Sequence, residues 1–248
     1  MTSKSLFSNS ALVWDAIRRK IWLFILSILG FFFALPVAAI MIIQEIANLT
    51  GPSVKETAIS TLQSFLGPFS PGTIIIMSVL GLMSALVFFG YMHKKRQVDF
   101  YYRLPISRTK MFWVNYIAGA VSIILPFILF FLSAVFIVGV FGGLEYLRKM
   151  VVLQGLVVPI IYFLAIYSIT VLAGVLTGNI VLQAAVAGYI MALVPVILAG
   201  YNMLMDAFLI TYAGSGPVFD TASSFSSPVL LVLYSYYDIA YGVTPWSN

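Results

Sequence analysis

A charged and aromatic loop, HKKRQVDFYYRLPISRTK at residues 93–110, separates two long apolar segments of the chain. Only 8% of the 248 residues are charged, so this loop holds an unusual share of the charge. Its centre interleaves aromatic and aliphatic side chains with one acid and one base: Val98, Asp99, Phe100, Tyr101, Tyr102, Arg103 and Leu104. If 98–104 forms a helical turn, Val98 and Tyr101 share one side, whereas Asp99 and Arg103 share another. This is the layout of a small plug with an aromatic anchor and flanking charges.

The loop also contains residues that stop and start helices. Leu104 precedes Pro105, and a residue before proline avoids the α region, so the turn is expected to end there. Ser107 can cap a following helix that begins at Arg108, because its hydroxyl accepts an N–H that has no partner inside the helix. The sequence therefore predicts a short turn, a break at the proline and a new helix.

The rest of the chain has the composition of an integral membrane protein. Hydrophobic residues make up 62% of it and the mean hydropathy is +1.06, far above the values of an ordinary soluble domain. Five uncharged stretches reach the roughly 20 residues that a helix needs to cross a bilayer. These predicted spans are 21–43, 73–92, 111–141, 151–177 and 180–204. We therefore predict an all-α, polytopic helical membrane protein that forms a single domain over residues 1–248.

Two further segments flank the spans. The run SNSALVWDAIRRKIW predicts an interfacial amphipathic helix at about 8–20, with Val13, Trp14, Ile17 and Ile21 on or near one side. An Asp15–Arg19 pair at spacing i, i+4 lies on the other side; the alternative is an ordinary basic flank that sets topology. Near the C-terminal end, residues 228–241 have an apolar core too short to cross, which predicts an outer re-entrant or partial sixth helix.

The cations predict the orientation. Ten of the 13 Lys and Arg residues lie in the N-terminal segment and the 93–110 loop, and only Lys55, Arg148 and Lys149 fall on the other side. The positive-inside rule therefore places the N-terminus in the cytoplasm. Because the loop cations lie within a few residues of the bilayer, they serve topology first. Anionic membrane lipids are an expected partner and nucleic acid is not.

The sequence offers no catalytic centre. It has no cysteine and a single histidine, His93, and it lacks a phosphate-binding G-x-x-x-x-G-K-[ST] loop, an H-E-x-x-H pair and a serine nucleophile motif. None of the five predicted spans contains Asp, Glu, Lys, Arg or His. We therefore predict that the chain is not an enzyme and holds no cofactor or metal of its own.

The run GYMHKKRQVDFYYRLPISRTKMFWVNYIAGA, residues 90–120, resembles the signature loop of ABC-2-type transporter permeases from Gram-positive bacteria. In that family, the cytoplasmic loop between the second and third spans carries a coupling helix that docks in a groove of a separate ATPase subunit. The resemblance implies that 98–104 contacts the ATPase, with Tyr101 and Tyr102 as anchors and Asp99 and Arg103 fixing the register.

The same resemblance implies the setting of the protein. It would be a permease subunit of an ATP-driven exporter in a bacterial plasma membrane, with ATP and Mg bound by the partner ATPase. A second permease copy or homologue would complete the pathway, and the substrate would be lipid-like, peptide or drug-like. The family usually has six spans with both termini inside, so five spans predict that this sequence is a piece of a longer permease.

An ion-coupled secondary transporter or channel, not driven by ATP, is the alternative function. Such proteins usually place ionisable groups or broken helices at mid-membrane, and the predicted spans lack such groups. Amide side chains and backbone carbonyls can also bind ions, which keeps this alternative open. The amides in or beside the spans, expected to bond between helices or to face a pathway, are Asn115, Gln154, Asn179, Gln183 and Asn202.

Overall fold

A computed structural model describes residues 9–48, 54–68, 70–93, 107–143, 148–208 and 227. Within these residues the secondary structure is helical, and no strand occurs. The elements, in order, are α1 (Asn9–Arg19), α2 (Ile21–Phe32), a π-helical turn (Phe33–Val37), α3 (Ala38–Asn48), α4 (Val54–Leu66), α5 (Pro71–Phe89), a 3-10 turn (Gly90–His93), α6 (Arg108–Val140), α7 (Lys149–Leu176) and α8 (Ile180–Phe208).

Five helical stretches of the described residues are long and apolar enough to cross a membrane. They overlap the five predicted spans, but the first continues to Asn48 through α2, the π-helical turn and α3, and the second begins at Ala58 rather than at 73. The prediction of an all-α, polytopic fold is thereby confirmed. The predicted outer segment 228–241 lies outside the described residues.

The bundle is organised around α5, whose main partner is α7, while α6 packs against α1, α2 and α5. Buried aromatic and aliphatic side chains from α2, α5, α6 and α7 form one core. The last helix, α8, packs mainly on α7 and is the least buried span. Only 17% of its most apolar stretch is buried, against 33–50% for the other four spans. Few contacts therefore hold α8 in place.

The N-terminal segment is a helix, as its pattern predicts, but its faces differ in part from the prediction. Arg19 and Asp15 form the expected ion pair at 2.8 Å on the exposed side. Val13 and Ile17 pack against the core, whereas Trp14 is exposed. The reason is that α1 packs against α6, and Trp14 lies about 100° around the helix from Val13. The aromatic ring is therefore free to meet lipid.

The prolines within the spans are accommodated in two ways. At Pro36 the first span widens into the π-helical turn, a usual response to an interruption of the helical hydrogen bonds. In α6, Pro126 has no N–H to donate to the carbonyl of Ser122, four residues earlier. The hydroxyl of Ser27 on α2 lies 2.9 Å from that carbonyl oxygen and 2.8 Å from the carbonyl oxygen of Phe24, so its hydrogen is shared between the two acceptors. A neighbouring helix thus satisfies the group that the proline leaves without its usual donor.

Ser27→Ala is expected to destabilise the protein by about 1–3 kcal/mol, because it leaves the buried Ser122 carbonyl without a donor. Thermal unfolding in detergent measures the effect. Ser133→Ala is the matched control, since Ser133 bonds only within its own helix, to Phe130 O, among the bonds described. Equal unfolding temperatures for the two variants would show that the Ser27 bond contributes nothing to stability.

Candidate functional site

The ends of α2, α5 and α6 and the hairpin between α7 and α8 meet at one end of the bundle, here called the basic end. The predicted docking loop belongs to this end, since it joins the 3-10 turn at His93 to Ser107. As predicted, Ser107 caps α6, and its Oγ accepts a hydrogen bond from the N–H of Lys110 at 3.3 Å. Residues 94–106, including Val98–Leu104, lie outside the described residues. Their docking role therefore stays a prediction, while the described helix ends define where the loop is attached.

An aromatic cluster extends from the two attachment points of the loop at the basic end to the middle of α7. Its rings are Phe89 of α5, Phe112 and Tyr116 of α6, and Phe163 and Tyr167 of α7. Phe89 lies 5.3 Å from Phe112, and Tyr116 lies 4.9 Å from Tyr167, measured between ring centroids. The rings of Phe163 and Tyr167 stack at 5.6 Å. Aromatic pairs at such separations stabilise a contact beyond the area they bury.

Hydrogen bonds connect the same three helices. The hydroxyl of Tyr167 donates to the carbonyl of Tyr116 at 3.2 Å, and Ser84 of α5 donates to the carbonyl of Gly119 at 3.1 Å. Gly119 has to be small, because a Cβ there would overlap the Tyr167 hydroxyl. Helix α5, which precedes the loop, and helix α6, which follows it, are therefore hydrogen-bonded to each other, and α6 is also hydrogen-bonded to α7.

A second connection runs from the loop's first attachment point to α8. Nε2 of His93 lies 2.8 Å from Oε1 of Gln183, whose side chain is fully buried. The amide nitrogen of Gln183 donates to the carbonyl of Thr170 on α7 at 2.9 Å. Gly174 makes room for the amide, since a Cβ there would lie 2.9 Å from Gln183 Cδ. The hairpin is closed by Asn179, whose Oδ1 accepts the N–H of Val181 at 3.0 Å.

Lys20, between α1 and α2, is a cation partly buried at the basic end. Its Nζ lies 4.4 Å from the ring centroid of Phe88, which is fully buried. Burial removes water from the ammonium group and lowers the pKa of Lys20 to about 8. The ring face of Phe88 is a favourable contact for the Lys20 ammonium group.

Lys20→Met is expected to change how stability depends on pH. The pKa of Lys20 falls from its ordinary 10.5 to about 8 in the folded protein. Between these pH values the unfolded chain binds more protons, so stability should rise with pH across this window. In Lys20→Met the free energy of unfolding loses this dependence on pH. Below about pH 8 the variant is more stable than the parent, because the parent has to bury a charged ammonium group. Thermal unfolding at about pH 7 and about pH 10 measures it, with Lys149→Met, at an exposed position, as control. Identical pH slopes for all three proteins would contradict the expectation.

The described residues include no group of three or more His, Cys, Asp or Glu that could hold a metal ion. The arrangement at the basic end suits mechanical coupling: rings and hydrogen bonds fix the loop's attachment points to four helices. No protein-family model, no curated protein and no solved structure matches this chain. The resemblance to ABC-2-type permeases therefore rests on residues 90–120, and the family stays a prediction.

Sequence reasoning missed the aromatic cluster and the partner of His93. The spacing of Phe112 and Tyr116, and of Phe163 and Tyr167, is i, i+4, which places each pair on one helix face. That spacing is a signal for the cluster, although it does not say which faces meet. Gln183 was among the predicted interhelical amides, and the structure supplies its two partners, His93 and Thr170. Gln154, in contrast, is exposed near the far end of α7.

Proposed function

We propose that this chain is the permease subunit of an ATP-driven ABC-2-type exporter, coupled to a separate ATPase through the loop at 93–110. The observation that carries the proposal is the way the loop is attached. A basic, aromatic segment of 13 residues, 94–106, begins and ends at helices that are packed and hydrogen-bonded to each other. A partner that moved such a loop would move α5 and α6 with it.

The membrane setting supports the same proposal. Five apolar helices are compatible with a multi-pass membrane protein, and the cations gather at the end that carries the loop. By the positive-inside rule this end faces the cytoplasm, where ATP and an ATPase are available. Since the chain has no phosphate-binding loop of its own, ATP hydrolysis has to come from the partner. We place the protein in a bacterial plasma membrane, paired with a second permease subunit.

The proposed substrate is lipid-like, a peptide or a drug-like amphipathic compound. The spans lack charged side chains in the stretches predicted to cross, which suits an apolar path better than a relay of ions or protons. This feature also favours the exporter over an ion-coupled transporter.

The deciding experiment is affinity purification of the tagged protein in mild detergent from its native host, with mass spectrometry of the proteins that co-purify. We expect an ATPase subunit at stoichiometric yield. If only lipid and unrelated membrane proteins were recovered, the loop would be a topology signal and the secondary transporter would become the better proposal.

A further inference from the structure

The hydrogen bond between His93 and Gln183 joins the residue where the loop begins to the helix that is least tied to the bundle. His93 and Gln183 are 90 positions apart in sequence, and their side chains meet at 2.8 Å. Of the described spans, α8 has the smallest buried share. A single polar contact therefore contributes a larger part of its attachment than it would in a well-packed helix such as α5.

The orientation of the Gln183 amide is fixed by its second partner. The carbonyl oxygen of Thr170 can only accept, so the amide nitrogen of Gln183 must face it. Oε1 of Gln183 then faces His93, and Nε2 of His93 must carry a proton and donate it. The donor and the acceptor are therefore assigned in both hydrogen bonds: His93 donates to Gln183, and Gln183 donates to Thr170 on α7.

The packing between α7 and α8 accommodates the side chain of Gln183. Gln183 is fully buried in the first turn of α8, against the point where Gly174 leaves space on α7. A buried amide has to be hydrogen-bonded to offset its loss of water. Nδ1 of His93 is itself buried and has no hydrogen-bond partner among the described residues, so the bond to Gln183 is the polar contact of that ring. Breaking it would leave Nε2 of His93 and Oε1 of Gln183 without their hydrogen bond to each other.

We propose that the His93–Gln183 hydrogen bond passes displacement of the 94–106 loop to α8, and that both are positioning residues for coupling. This inference rests on the proposed function, since the ATPase is what would displace the loop. Docking of the loop then shifts His93, and His93 carries the first turn of α8 with it. Because Gln183 is also bonded to Thr170, the end of α7 follows.

The test uses two readouts on the full chain, which has no native cysteine. Spin labels at Gln97→Cys in the loop and Tyr189→Cys on the exposed face of α8 report the distance distribution between them. ATP hydrolysis by the co-purified ATPase, with and without the permease, reports coupling. Gln183→Leu and His93→Phe break the bond from either side. His93→Gln keeps a donor for Gln183, and Gln154→Leu is the control at an exposed glutamine of α7.

We expect Gln183→Leu and His93→Phe to broaden the distance distribution and to reduce stimulation of the ATPase about 5-fold or more. The ATPase should still co-purify, and His93→Gln and Gln154→Leu should resemble the parent. An unchanged distance distribution would show that the bond does not hold the loop to α8. A broadened distribution with full stimulation would make the bond merely structural, and an equal loss in Gln154→Leu would remove its specificity.

The purification distinguishes a failure of the proposed exporter function from a failure of the inference about His93 and Gln183. If the parent chain binds no ATPase, the purification itself reveals this, and the coupling role of His93 and Gln183 falls with it. If the parent is stimulated and the variants are equally stimulated, the exporter stands and only this inference is overturned.

Discussion

Replacing Tyr101 and Tyr102 together by alanine is expected to weaken binding of the proposed partner ATPase by roughly 1,000-fold. Two neighbouring tyrosines in a loop rich in charged residues are typical of binding hot spots, where truncation of one anchor commonly costs about 2 kcal/mol. Such a loss for each ring corresponds to the stated change in affinity. The measurement is titration of the purified ATPase against the permease in detergent, together with the permease-stimulated rate of ATP hydrolysis.

The chain contains a matched control for this variant. Tyr236 and Tyr237 form a second tyrosine pair next to an acid, Asp238, on the predicted outer side. Alanine at this pair should leave ATPase binding and stimulation at the parent's level. If the loop variant inserts into the membrane normally and still stimulates the ATPase fully, Tyr101 and Tyr102 are not the anchors and the docking site lies elsewhere.

Gly155→Ala is expected to be among the most destabilising single-methyl additions in the bundle. Gly155 of α7 lies against the end of α4, where a Cβ would overlap the backbone carbonyl oxygen of Leu66 and lie 3.3 Å from the ring of Phe131. A backbone carbonyl cannot turn aside as a side chain can, so α4 and α7 have to separate. Overpacking of this kind costs about 1–3 kcal/mol, or a fall in melting temperature of roughly 2–12 °C for a chain of this size.

Gly188→Ala is the control for this substitution. Gly188 is exposed on α8 and a Cβ there meets no atom within 4 Å. Alanine is also the better helix former by about 1 kcal/mol, so this variant should unfold at the same temperature as the parent or slightly higher. Unfolding of both variants in detergent makes the comparison. A melting temperature for Gly155→Ala within a degree or so of the parent's would mean that α4 is not packed against α7 there.

Much of the architecture follows from local properties of the chain. A span is a run of about 20 uncharged residues, and the bilayer leaves its backbone no alternative to a helix. The five spans and the start of α6 after Ser107 were predictable because each depends on residues adjacent in sequence. The Asp15–Arg19 pair was predictable for the same reason, since its two residues are one helical turn apart.

The face that a helix turns toward the bundle was harder to predict. In α1 the pattern grouped Trp14 with Val13 and Ile17, but contact with α6 selected a narrower stripe and left Trp14 exposed. A membrane helix can be apolar on all sides, so its sequence gives little indication of which side meets protein and which meets lipid. The same limit hid the aromatic cluster at the basic end.

The polytopic helical fold, the approximate positions of the five spans, and the loop that concentrates charge and tyrosine were all readable from the sequence alone. These properties depend on hydrophobicity and capping over a few neighbouring residues. The packing of the helices, in contrast, was needed to show that His93 bonds to Gln183, that the Ser27 hydroxyl reaches the carbonyl left open by Pro126, and that Gly155 lies against Leu66. Each of these contacts joins residues that are about 90 positions apart in sequence, and their meeting depends on how the helices pack.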